Sequence, residues 1–359
     1  MQTNLDILCI DFQRSVREAM ALMDRGRLGI VLVVDAERRL AGTITDGDIR
    51  RAILANVDLQ QPVMTLLARK AGTRYAKPVT ASITADRSVH LKALKEHNVL
   101  SLPLLDGEGR VAGLVTLDEF LPDNILPLHA VVMAGGLGRR LHPLTEHLPK
   151  PMLPVGDRPL LEIIITQLRD AGIRHVKVTT HHKPEKISEH FGDGSGFGVQ
   201  LTYVEEDQPL GTVGGLGRLE PPVATTLVIN GDILTQVDFR AMLAYHKEHE
   251  AVLTMAVRHY DLKVPYGVVE CDGPMVHRLS EKPVLGLFVN AGIYLLEPSV
   301  HRFIPSNQRF DMTDLIQRLL DAGQPVASFP IREYWLDIGE HAEYEQAGED
   351  VRSGKVVSS

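Results

Sequence analysis

Cysteine is nearly missing from this chain: Cys9 and Cys271 are the only two in 359 residues. Two thiols can form neither a disulfide framework nor a cysteine zinc cage, which points to a reducing, cytoplasmic setting. Long apolar runs are missing too. Stretches such as Ile30–Val34 are far too short to cross a bilayer, so no membrane partner is expected. The first residues carry Asp6 and Asp11 and no basic stretch, and are not expected to act as a secretion signal. No Lys/Arg tract occurs and the net charge is −8, which argues against nucleic-acid binding. What is present, 44% hydrophobic and 23% charged residues, is the make-up of a globular protein. The length suffices for two or more domains with sizeable cores.

An internal repeat fills the first third. Residues 32–48 are echoed at 103–119. In each copy an Asp (Asp35, Asp106) is followed seven residues later by a Gly (Gly42, Gly113) and three further on by a Thr (Thr45, Thr116). Each copy reads as strand, polar turn, strand, helix, with an amphipathic helix ahead of it at 16–23 and 89–97. Thr45 with Asp48, and Thr116 with Glu119, have the spacing of a helix cap and an acid in the first turn. The tandem resembles a pair of CBS domains (a Bateman module), repeat one over 1–59 and repeat two over 60–122. That resemblance implies an adenine nucleotide whose phosphate and ribose meet Thr45 and Asp48 in the first repeat, and Thr116 and Glu119 in the second. Glu119 departs from the family, which has an aspartate there. Such pairs commonly associate, so the resemblance also implies a homo-oligomer.

Residues 123–128 read as a linker stiffened by proline. From 129 to 347 short β-rich runs at 129–134, 176–180, 201–205, 226–229 and 252–257 alternate with helices. One helix opens at Pro159, carries Leu161, Ile164, Ile165 and Leu168 on one face, and closes at Gly172. Another starts at Asp311 with Met312, Leu315, Ile316 and Leu319. The alternation predicts a Rossmann-like α/β domain with a largely parallel mixed sheet, covered on both faces, and ligands at the carboxyl ends of its strands. Residues 348–359 have little to bury and are expected to fray.

The chemistry begins after the first of these strands. Gly135, Gly136 and Gly138 let backbone N–H groups approach a phosphate. The dinucleotide fingerprint does not fit, because Arg139, Arg140 and Leu141 stand where a third glycine is needed, and no Gly-Lys-Ser/Thr follows for a Walker A loop. Fixed positive charge follows instead: Arg140, then Lys150, expected to be extended between Pro149 and Pro151. Cations aimed at one phosphate cluster suit nucleotidyl transfer, where charge on the α-phosphate must be stabilised. His246 and His249 read as a solvated helix face, and His181 and His182 as loop neighbours of substrate.

The stretch 131–154 closely resembles the signature of the sugar-1-phosphate nucleotidyltransferases, and further motifs follow in that family's order. The resemblance implies that Ala134, Gly135, Gly136, Gly138 and Arg139 (usually Thr or Ser in the family) lie along the nucleotide, with Leu210, Gly211, Thr212, Gly214 and Gly231. It implies Mg²⁺ on Asp232 and Asp337, and a sugar-phosphate pocket of Tyr266, Gly267, Glu281, Lys282, Asn290 and Gly292. Arg140 and Lys150 would hold the triphosphate and Lys282 the sugar phosphate. The sugar phosphate is already an anion, so no general base is needed. Its oxygen attacks the α-phosphorus in line and pyrophosphate leaves. The repeats fused ahead of a short transferase, with the motifs at 264–267, 310–312 and 333–337, resemble most the glucosamine-1-phosphate guanylyltransferases of bacterial legionaminic acid biosynthesis. That implies GTP and glucosamine 1-phosphate as substrates and GDP-glucosamine as product. Mannose- and heptose-1-phosphate guanylyltransferases share these motifs, and uridylyltransferases use a similar loop. The non-enzyme alternative is an adenine-nucleotide sensor with an inactive transferase domain. The presence of Arg140, Lys150, Asp232, Lys282 and Asp337 speaks against it.

Overall fold

Ile30–Val34 is a run of β-branched residues and leucine, and it forms the middle of a three-stranded sheet. β1 (Cys9–Asp11) pairs parallel, and β3 (Leu40–Thr45) antiparallel, to β2 (Ile30–Val34). The computed structural model describes the chain except residues 74–75, 98, 121–124 and 357–359 and the side chain of Asp118. α1 (Val16–Gly26) starts in a capping box between Ser15 and Glu18, and α2 (Asp46–Leu54) in one between Thr45 and Asp48; α3 (Met64–Lys70) follows. The second copy repeats the order. β4 (Ala81–Ser82) lies parallel and β6 (Val111–Thr116) antiparallel to β5 (Ser101–Leu105), with α4 (Arg87–Glu96) between the first two. The repeat in sequence is thus a repeat of topology, with one departure. Where the first copy has α2, the second has a 3₁₀ turn, Leu117–Phe120.

Residues 1–124 form one compact unit and 125–359 another. Of the expected linker, Asp123 and Asn124 lie outside the described residues. The rest is not a spacer: Leu126 and Leu128 are buried in the core of the second unit, and the Leu126 N–H donates to the Gly172 carbonyl.

Asp48 is heavily bonded. Its side chain is 3% exposed and accepts from Lys70 Nζ (2.8 Å), Arg51 (2.6 Å) and the Thr45 N–H (2.9 Å). Burial alone would raise its pKa, but Lys70, the Thr45 N–H and Arg51 together hold it below the usual carboxylate range. A depressed folded pKa means that the stabilisation is present above the unfolded value near 4 and lost as pH falls through the folded value. Asp48→Asn should therefore cost about 3 kcal/mol in urea unfolding at neutral pH, because Lys70 is left buried without its counter-charge. The gap from wild type should close in acid.

The second unit is built on a seven-stranded sheet. Its strands are β7 (His129–Met133), β10 (His175–Thr180), β11 (Gln200–Glu205), β12 (Thr226–Asn230), β14 (Leu253–Lys263), β17 (Val284–Leu296) and β18 (Val326–Pro330), in the order β11-β10-β7-β12-β17-β14-β18. β17 alone runs against its neighbours, which gives the largely parallel mixed sheet expected. The intervening short strands are β8 (Pro154–Val155) with β9 (Arg158–Pro159), and β13 (Ile233–Thr235) with β19 (Trp335–Asp337). Side chains alternate across the sheet. Ala130 and Val132 join one core, into which α5 (Leu160–Asp170) sets Leu161, Ile164, Ile165 and Leu168. Val131 and Val228 join the other, where α9 (Met312–Asp321) sets Met312, Leu315, Ile316 and Leu319. α6 (Pro184–Phe191), the one-turn α7 (Gly211–Gly214) and α8 (Phe239–Glu248) complete the cover.

Three expectations are corrected. β14 is far longer than 252–257: it continues past the sheet with β17 as a two-stranded arm, and β15 (Val268–Asp272) and β16 (Met275–Ser280) form a hairpin between them. Residues from 348 do not fray up to 356, because α10 (His341–Arg352) runs through them in a Glu340–Glu343 capping box and Val356 is buried. His246 is not on a solvated face. It is 1% exposed, with Nδ1 against Thr254 Oγ1 (2.7 Å) and Nε2 against Glu297 (3.0 Å). No helix among the described residues is long and apolar enough to cross a membrane.

Candidate active site

β12 and β7 end side by side, and the Gly231 N–H ties them by donating to the Met133 carbonyl (2.9 Å). Asp232 follows at once. The chain then enters β13, whose buried Ile233 and Leu234 must pack, and its partner is β19 in antiparallel register. That register sets Ile233 opposite Asp337, and the Ile338 N–H donates to the Asp232 carbonyl (2.9 Å). Two acids far apart in sequence thus become neighbours.

Their surroundings are charged and partly dry. Lys150 Nζ donates to Asp232 Oδ2 (2.6 Å), with the lysine side chain 10% exposed. Lys150 is not extended as expected but opens a buried 3₁₀ turn, Lys150–Met152. Asp232 Oδ1 is buried and meets no hydrogen-bond partner; Asn230 Oδ1 and Thr180 Oγ1, on the ends of β12 and β10, are orphaned likewise. A buried oxygen without a donor is costly. Three of them at the carboxyl ends of parallel strands mark a place shaped for a ligand. Asp337 is open to solvent on one side, and burial of the other raises its pKa, followed by repulsion from Asp232; Lys150 and Arg140 pull it back. Arg140 stands in the turn Arg139–Leu141, its guanidinium 3.4 Å from where a Cβ on Gly339 would lie and 3.6 Å from Glu340. Arg139 is exposed. The structure therefore gathers Arg140, Lys150, Asp232 and Asp337. Among the described residues no group of three or more His, Cys, Asp or Glu is placed to hold a metal ion.

The glycine turn follows β7 past the buried Ala134. Gly136 faces open space, while Gly138 has φ +61° and a Cβ there would lie 2.7 Å from the Thr145 methyl, so only glycine fits. Residues 210–215, which the resemblance makes the expected base loop, are bolted to the start of α9. Gly211, at φ +84°, presses on the Asp311 carboxylate and the Phe310 carbonyl. The Thr212 N–H donates to Asp311 (3.0 Å), its hydroxyl accepts from the Met312 N–H (2.8 Å), and the Gly214 N–H donates to Phe310 O (3.0 Å). Leu210 is 2% exposed. Leu210 and Thr212, expected along the nucleotide, thus spend their side chains on bracing the loop.

Sequence reasoning missed Glu206. It follows β11 directly and is 4% exposed, and burial raises its pKa, against the pull of the Leu210 N–H, His181 and Arg218. Its Oε2 accepts from Leu210 N–H (3.2 Å). A Cβ on Gly215 would lie 2.5 Å from Oε1, and one on Gly135 3.4 Å from Oε2. One carboxylate therefore lies between the glycine turn and the base loop. His181 joins it, with Nδ1 2.7 Å from the Glu206 carbonyl.

The expected sugar-phosphate residues stand apart. Because β17 opposes β12, its residues before Gly292 run past the end of β12 where Asp232 lies. Gly292 abuts the Asn230 amide. Asn290 is already engaged, with Nδ2 donating to Tyr294 OH (2.7 Å) and Oδ1 accepting from the Gly292 N–H (3.1 Å). Tyr266, Glu281 and Lys282 are exposed on the arm, Gly267 lies against Glu281, and no hydrogen bond ties Lys282 to the acids among the described residues. In the first unit, Glu119 accepts from the Thr116 N–H and pairs with the Met1 ammonium.

Comparison with known proteins adds relatives to this geometry. A family model described as nucleotidyl transferase matches residues 129–354, and one for the CBS domain matches residues 1–55. A UTP–glucose-1-phosphate uridylyltransferase of Synechocystis sp. is 34% identical over 250 residues, 64% of each chain. A mannose-1-phosphate guanylyltransferase of Mycobacterium tuberculosis is 32% identical over 234 residues, 63% of this chain and 65% of its own. The chain spans less than two thirds of the length of these relatives. A solved Bacillus anthracis structure, assigned as a glucose-1-phosphate thymidylyltransferase, superposes with TM-score 0.53 at 25% identity, over 63% of this chain and 95% of that one. HddC from Yersinia pseudotuberculosis complexed with GMP-PN gives TM-score 0.50 at 23% identity, over 63% and 100%, which supports the fold alone.

Proposed function

Because the chain belongs to the nucleotidyl transferase family, we propose that it transfers a nucleoside monophosphate to a sugar 1-phosphate, with GTP and glucosamine 1-phosphate as substrates and GDP-glucosamine and pyrophosphate as products. The observation that carries the reading is the orphaned Asp232 Oδ1 beside Asp337 and Lys150. A hard divalent ion fits that donor set, since two carboxylates leave room for waters and phosphate oxygens. Asp232 and Asp337 would hold Mg²⁺, which would neutralise charge shared by the two phosphates. Arg140 and Lys150 orient the triphosphate, and the turn at Gly135–Gly138 receives it on backbone N–H groups. The sugar-phosphate oxygen bonds to the α-phosphorus as the α–β bridging bond breaks, and pyrophosphate carries away the electron pair.

Guanine is favoured by Glu206. Ionised, this carboxylate is an acceptor only, and guanine offers it two donors on one edge, N1–H and N2–H₂, where uracil offers one N–H. The exposed Glu281 is a counter-charge for a sugar amino group, which supports glucosamine; the place in legionaminic acid synthesis rests on the sequence resemblance. In the CBS unit Asp48 is engaged by Lys70 and Arg51, so an adenine nucleotide that regulates the enzyme must displace Lys70 to reach it. On this reading Lys70→Ala binds AMP more tightly than wild type. The homo-oligomer is proposed to form through the arm, where Tyr260 and Leu262 pair with Leu287 and Leu285 on one exposed apolar face that a second copy could match. The test of the activity is pyrophosphate release across GTP, UTP, ATP, CTP and dTTP with glucosamine, N-acetylglucosamine, mannose and glucose 1-phosphates. GTP with glucosamine 1-phosphate should lead, and silence across the grid with folded protein would support the sensor instead.

A further inference from the structure

The site above lies at the carboxyl ends of the strands; a cavity of about 210 Å³ opens at the other end of the same sheet. Its floor is the start of β7 and β12, and its walls are Leu216 and Leu219 from the segment after α7 with Val300 of the 3₁₀ segment Pro298–Phe303 and Ile304 just after it. That volume exceeds the roughly 150 Å³ of an apolar void that takes up benzene.

One side of this apolar notch carries a lysine and two histidines. Lys177 and His129 line it, and His175, in register with His129 on the next strand, brings its ring to 5.1 Å. Burial, then His175 and Lys177, hold the His129 pKa below its ordinary value. Among the described residues no carboxylate pairs with any of the three. The two acids of the lining are placed otherwise: Glu297 Oε1 already accepts from Thr225 (2.7 Å) and faces His246 Nε2 (3.0 Å), and Glu220 is exposed. Apolar walls with the Lys177 ammonium and two imidazoles as hydrogen-bond partners at one edge suit an apolar body with one acid group.

The cavity wall is also the back of the base loop. His301 Nε2 lies 3.2 Å and 3.1 Å from the carbonyls of Leu216 and Leu219, and donates to them. Leu216 adjoins Gly215, which stands against Glu206. A ligand that pushes on Leu216 therefore acts on the turn Gly215–Arg218 that closes over this carboxylate.

We propose that this cavity is an effector site for a small anion with an apolar body, and that its occupancy is transmitted to the base loop. The second half rests on the nucleotide reading of Glu206; the first does not. The test is equilibrium dialysis of the full-length protein with benzoate and phenyl phosphate, with benzyl alcohol as neutral control, in excess GTP without metal so that the catalytic cleft is filled. One anion per chain is expected, with benzyl alcohol binding about tenfold more weakly. Lys177→Gln should bind the anion about tenfold more weakly and Glu220→Gln more tightly, with turnover unchanged in both. Whichever anion binds tighter identifies the acid group as carboxylate or phosphate. No uptake, equal uptake of benzyl alcohol, or full affinity in Lys177→Gln would overturn the site. If the anion binds as expected, KM for GTP should shift at least twofold, and an unmoved KM overturns the coupling. Absence of any turnover would count against the proposed activity while the dialysis still reads the cavity.

Discussion

Asp232→Asn is expected to lower pyrophosphate release about a thousandfold with the protein folded. The substitution keeps the shape of the side chain and removes the charge that, with Asp337, would hold the divalent ion. An ion at a transferring phosphoryl group is worth several kcal/mol of transition-state stabilisation, and about 4 kcal/mol corresponds to three orders of magnitude. The asparagine is preferable to alanine because Lys150 donates to Oδ2, and an amide oxygen can still accept from it. Circular dichroism and the midpoint of thermal unfolding should change little. Turnover within tenfold of wild type would remove Asp232 from the metal site.

Glu206→Gln should show in selectivity. The carboxylate is buried between two glycine segments. Losing one acceptor against two guanine donors leaves a buried N–H unpaired, at about 3 kcal/mol when the lost partner is charged. The expected result is a fall of about a hundredfold in kcat/KM for GTP, with UTP changed severalfold at most. Equal losses for both nucleotides would assign Glu206 to bracing the loop through Leu210 rather than to reading the base.

Much of this was legible in the chain. The parallel strands and α5 and α9 follow from local apolar runs and helical period, and the tandem repeat from its matched Asp, Gly and Thr positions. Asp232 and Asp337 are candidates only through the family resemblance of the motifs that carry them, 230–232 and 335–339. What could not be read depends on partners remote in sequence. Glu206 sits in the acidic run 205–207, which looks like a solvated charge cluster until β11 turns its middle member inward. Thr212 looks like a ligand contact until α9 arrives beneath it. Asp48 is a ribose contact only by resemblance, and the approach of Lys70 shows it to be engaged. α10 did leave a local signal, the Glu340–Glu343 capping box, but the polar composition of the stretch masked it.

The claim that two remote carboxylates hold one divalent ion is tested most directly by Mn²⁺ binding, read by electron paramagnetic resonance with GTP present. Wild type should bind one ion more per chain than either Asp232→Asn or Asp337→Asn, with GTP retained in all three. Undiminished Mn²⁺ in both variants would contradict it.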